Sequence, residues 1–124
     1  MAKKKGLSYE QKLINALKKL PVPLEDRRHN LLIYLDDDRA RSNQSRLEHI
    51  ISMRHGLKPS DIERIPRYLK TSIFKKEKDR RDTANIYIKR NNYGEQYIKI
   101  SLRTDEEEPN KAFIKTIFIT KNMK

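Results

Sequence analysis

The chain has 124 residues, enough for one domain with one modest core, and carries 29 Lys and Arg against 17 Asp and Glu, a net charge of +12. With no cysteine it excludes a disulfide framework, a thiolate metal site and a cysteine nucleophile, and a reducing cytoplasm is the expected compartment. No apolar run approaches the roughly 20 residues that cross a membrane, and Lys3-Lys4-Lys5 is followed by Glu10, Gln11 and Lys12 rather than by the apolar stretch of an export signal.

In chain order, residues 1–6 form a basic arm. From Ser8 to Leu20 the apolar residues Leu13, Ile14, Leu17 and Leu20 fall at helical spacing, with Ser8 as a cap and Pro21-Val22-Pro23 as the stop. Leu31-Leu32-Ile33-Tyr34-Leu35 fits a short helix or a strand; its leucines and the closing Asp36-Asp37-Asp38 favour the helix. Ser42 to His55 reads as a helix with Leu47, Ile50, Ile51 and Met53 as its apolar stripe and Gly56 as its stop. Ser60 and Glu63 make a capping-box pattern, and Ile62, Ile65 and Leu69 line a short helix kinked or broken at Pro66.

After Lys70 the period changes from that of a helix to that of a strand. Thr83 to Arg90 alternates, Asn91-Asn92-Tyr93-Gly94 is a turn signal, and Gln96 to Arg103 alternates again. An acidic loop from Asp105 to Asn110, read as solvated, leads to a last strand from Ala112 to Thr120. Helices followed by a meander of about three strands give an α+β fold, with N-terminal helices packed on one face of a small antiparallel sheet. The whole of 1–124 is read as a single domain.

The large positive charge calls for a polyanionic partner, and a phosphate backbone supplies closely spaced charge, so RNA is the expected one. Tyr87, Lys89, Tyr97, Lys99 and Ser101 share one face of the hairpin. If Ile117 and Ile119 point to the core, Thr116 and Thr120 join them. Cations meet phosphates, rings stack on bases and hydroxyls bond sugar or phosphate. An ordinary solvated sheet face would carry lysine and threonine too. DNA binding through a helix is a weaker alternative, because Arg39, Arg41, Asn43, Gln44 and Arg46 only approach a groove-reading stripe.

His49 and His55 are six residues apart, off the i, i+4 spacing of a helical metal pair, and nothing else supplies metal ligands; neither metal nor cofactor is expected. Histidine does titrate near neutrality, as general acid–base chemistry needs, and Lys99 or Arg90 could stabilise charge on a reacting phosphate. His29 stands outside this group.

Two helical stretches and three strands carry a resemblance: Glu48-His49-Ile50-Ile51-Ser52-Met53-Arg54-His55-Gly56-Leu57; Ser60-Asp61-Ile62 with Ile65-Pro66; and the strands Tyr87-Ile88-Lys89-Arg90, Tyr97 to Leu102 and Thr116 to Thr120. In this order they resemble the BECR-fold nucleases (barnase, EndoU, colicin and RelE-like), most closely the branch associated with phages and mobile elements. The resemblance covers residues 42–121 and leaves 1–41 as a helical N-terminal extension. It implies a metal-independent endoribonuclease, a hydrolase acting on tRNA or mRNA through a 2′,3′-cyclic phosphate, in the manner of a toxin or mobile-element effector. His49 or His55 would then be the general acid or base, Lys89, Arg90 or Lys99 would stabilise the phosphate, and Thr116 with Thr120 would position it. A toxin of this kind would have an acidic antitoxin or immunity protein as a further partner. The alternative is a non-catalytic RNA-binding or regulatory protein that uses the same basic sheet face. Cleavage requires a histidine, a cation and a threonine hydroxyl to converge on one phosphate.

Overall fold

The computed structural model describes residues 8–35, 44–53, 55–80, 82–90 and 96–121. The basic arm, the Asp36-Asp37-Asp38 run, Arg39, Arg41, Asn43 and the Asn91–Gly94 turn lie outside these residues.

Helix α1 (Tyr9–Lys19) starts where expected: the Ser8 side chain accepts the Gln11 backbone N–H at 3.1 Å. Its stripe of Leu13, Ile14 and Leu17 is fully buried, and Leu20 leaves the helix before the cis Val22–Pro23 bond. Two short strands follow, β1 (Leu24–Asp26) and β2 (Leu31–Tyr34). The helix expected at 31–35 is therefore corrected to a strand. Leu31 and Ile33 point into the core and Leu32 and Tyr34 away from it. Pairing on both sides, antiparallel to β1 and parallel to the last strand, overrides the helical preference of leucine.

Helix α2 (Gln44–Ile50) is shorter than the expected 42–55. The chain turns at 51–53, leaving Met53 exposed, and reaches the left-handed conformation at Gly56 with φ +77° before Leu57 returns to the core. Helix α3 (Pro59–Tyr68) runs through Pro66 rather than breaking there. Ile62 and Ile65 on one side of it are fully buried, which outweighs the hydrogen bond that proline cannot donate. Its cap also differs from the expected Ser60–Glu63 pattern: the Asp61 carboxylate accepts the Lys58 backbone N–H at 2.8 Å.

A 3₁₀ turn (Leu69–Thr71) leads to β3 (Ile73–Lys76), β4 (Thr83–Lys89), β5 (Tyr97–Thr104) and β6 (Lys111–Thr120). The sheet is mixed and six-stranded, in the order β1-β2-β6-β5-β4-β3, wider than the antiparallel meander expected because β1, β2 and β3 join it. It curls. Arg28, in the β1–β2 turn, donates to the Lys70 carbonyl at 3.1 Å, and His29 stacks on Phe74 of β3 at 5.2 Å, so the two sheet edges approach.

All three helices lie on the inner side of the curl. Their apolar stripes form one core with Leu31, Ile33, Ile86, Ile88, Ile98, Ile100, Leu102, Ala112, Ile114 and Ile117. Residues 1–41 thus contribute α1, β1 and β2 to the same core as the rest of the chain. No helix among the described residues is long and apolar enough to cross a membrane.

Candidate nucleic-acid interface

Strand alternation sends every second residue to the outer face, away from the helices. Register aligns those residues in rows across the strands. One row is Ile73–Tyr87–Lys99–Phe118, the next Lys75–Asn85–Ser101–Thr116, and a third Thr83–Arg103–Phe113–Tyr34; Lys89–Tyr97–Thr120 closes the series. A β-bulge between Ser101 and Leu102 inserts Lys115 into β6, so Phe113 and Thr116 both face outward while Ile114 and Ile117 both face the core.

The rows alternate in chemistry. Lys99 Nζ sits between two rings, 5.6 Å from the Tyr87 centroid and 5.4 Å from that of Phe118. Arg103 lies over Phe113 at 4.6 Å, Phe113 stacks on Tyr34 at 5.8 Å, and Lys111 Nζ is 5.8 Å from the Tyr34 centroid. The inserted Lys115 donates to Thr83 Oγ1 on β4 at 2.9 Å, reaching across β5. Tyr97 meets Tyr87 edge-on at 6.5 Å. Tyr87 and Phe113 are buried beneath this layer, whereas Tyr34, Tyr97, Lys99, Thr116 and Phe118 keep part of their surface in solvent.

Asn85 is 1% exposed; its amide donates to Glu77 at 3.3 Å, but its buried Oδ1 accepts no hydrogen bond.

Of the residues expected from sequence, Tyr87, Lys89, Tyr97, Lys99, Ser101, Thr116 and Thr120 share this face. Arg90 does not. It is 5% exposed and turned inward, where it bonds both Asp61 oxygens at 3.0 and 2.8 Å, Gln96 at 2.7 Å and the Gly56 carbonyl at 3.3 Å. Its guanidinium ties β4 to the start of α3. His49, exposed on α2, and His55, exposed beside a cleft with Tyr9, Ser52 and Gly56, belong to the helix side of the sheet. Both histidines thus stand on segments that pack on the inner side of the sheet, whereas Lys99, Thr116 and Thr120 belong to its outer face.

Sequence reasoning missed Tyr34, Arg103, Lys111, Phe113 and Lys115. Tyr34 was hidden by reading β2 as a helix, Phe113 and Lys115 by the bulge, and Lys111 by the loop that precedes β6, whereas Arg103 simply continues the alternation of Tyr97, Lys99 and Ser101. It also missed the Asp26–His29 pair, in which a fully buried carboxylate meets the imidazole Nδ1 at 2.7 Å and fixes the β1–β2 turn. Among the described residues no group of histidine and carboxylate side chains could hold a metal ion. No protein-family model, curated protein or solved structure matches the chain.

Proposed function

We propose that this protein binds RNA through the outer face of its sheet and does so without cutting it. The observation that carries this reading is the in-register array of Lys99, Arg103 and Lys111 over the rings of Tyr87, Phe118, Phe113 and Tyr34. Cations serve the phosphates and rings serve the bases, the two requirements of sequence-tolerant binding to nucleic acid. The net charge of +12 supports the same partner.

The endoribonuclease reading drawn from the BECR resemblance uses the same face, but its histidines stand on the other side of the sheet and Arg90 is held by Asp61. Binding is what the arrangement can do with the groups it brings together. The test is titration of a labelled RNA with the purified chain in excess EDTA, followed by electrophoresis of the RNA. Binding that weakens with salt and leaves the RNA intact is expected; binding that ignores salt, or none at all, would refute the proposal.

A further inference from the structure

The rings and cations of the outer face also bear on which form of RNA it takes. Phe118 and the Tyr34–Phe113 stack lie in the Lys99 and Arg103 rows of the sheet. Along β5 those rows are separated by roughly 13 Å at the usual rise per strand residue. Stacked bases in a duplex strand are about 3.4 Å apart. Two bases close together in sequence therefore reach both platforms only when the strand is unstacked and extended. Within a duplex the base faces are covered by their neighbours and offer the rings nothing.

The positions of the cations point the same way. A surface that grips a duplex backbone holds its lysines and arginines out toward phosphates. Here Lys99, Arg103 and Lys111 lie over rings, and Lys115 is bonded to Thr83. Each cation covers surface that a base or sugar would occupy. A charge-assisted bond to phosphate is stronger than contact with a ring, so the exchange is downhill once a strand arrives. As the cations move to the flanking phosphates, the ring faces are uncovered for bases. Between the two platforms runs the Asn85–Ser101–Thr116 row, whose half-buried Ser101 and Thr116 hydroxyls suit the donors and acceptors of a ribose.

We infer that the ligand of this face is single-stranded RNA, with one base on Phe118, another on the Tyr34 side of the Tyr34–Phe113 stack, and the cations now on those rings moved to the phosphates. This inference rests on the RNA-binding reading above. The experiment compares, by fluorescence anisotropy at matched salt, the affinity of the full chain for an unstructured oligouridine and for an RNA duplex of the same length. The oligouridine is expected to bind more tightly. Phe118→Leu and Tyr34→Leu are each expected to weaken its binding about tenfold, with the salt dependence and duplex binding unchanged, while Phe118→Tyr retains affinity. If the duplex binds as tightly as the single strand, or both leucine variants bind like the parent, the inference fails while RNA binding by charge stands. If neither RNA binds, the RNA reading fails and takes the inference with it. The parent chain alone supplies the first comparison, so the test survives a variant that does not fold.

Discussion

At Arg90 the guanidinium is held on several sides by protein, with Asp61, Gln96 and the Gly56 carbonyl all within hydrogen-bonding distance. A buried pair of this kind contributes little net stability over an apolar pair, yet removing one partner strands a charge in the interior. Arg90→Ala is expected to cost about 3–5 kcal/mol in a urea unfolding series. The exposed His49→Ala and His55→Ala should stay within about 0.5 kcal/mol of the parent. Asn85 offers the opposite experiment. Its Oδ1 is buried without a donor, and asparagine is a poor strand residue. Asn85→Val should raise stability by about 1 kcal/mol in thermal unfolding.

The elements show how far periodicity carries. Helix α1 was legible to its cap, because Ser8, Leu13, Ile14 and Leu17 state one period without competition. It belongs to the core and is no loose arm: Leu17→Ala is expected to cost about 2–5 kcal/mol, read as a lower denaturation midpoint at unchanged slope. Strands β4 and β5 were legible for the same reason, and with them Tyr87, Lys89, Tyr97, Lys99 and Ser101. Strand β2 was not. Four residues of mixed propensity become a strand only through pairing on both sides, with Glu25 of the adjacent β1 opposite Leu32 and the remote Phe113 opposite Tyr34. Strand β6 was legible as a strand but only partly in its faces. The bulge at Lys115 shifts the alternation by one residue, so Phe113 faces outward and Ile114 inward, against a strict period of two through Thr120. A bulge leaves no mark in the hydrophobic pattern, and the outward place of Phe113 was hidden with it.

For the molecule as a whole, charge alone does not choose a face. Lys18, Lys19, Arg64 and Arg67 are exposed on the helix side and would attract a polyanion too. What distinguishes the outer face is the company its cations keep: rings on both sides of Lys99, a stack under Arg103, and an acidic loop at one end whose Glu108 pairs with Lys111 at 3.1 Å. Long-range attraction should therefore bring RNA to the molecule in general, and the face should decide where it stays. With Lys99, Arg103, Lys111 and Lys115 released to phosphates, log affinity is expected to fall with log salt at a slope of about −3 for a single strand. Prolonged incubation with RNA in EDTA should yield no fragments; cleavage that His49→Ala or His55→Ala abolishes would reinstate the catalytic reading.

The most direct measurement sets one face against the other at equal charge. Single-stranded RNA affinity is determined at fixed salt for the parent, for the outer-face double variant Lys99→Gln/Arg103→Gln, and for the helix-side double variant Lys18→Gln/Arg67→Gln. Both variants lose the same net charge, and Lys18 and Arg67 are exposed on α1 and α3. A loss of about tenfold or more is expected for the outer-face pair, with little change for the helix-side pair. Equal losses in the two would contradict the account, for they would mean that RNA is held by net charge and by no particular face.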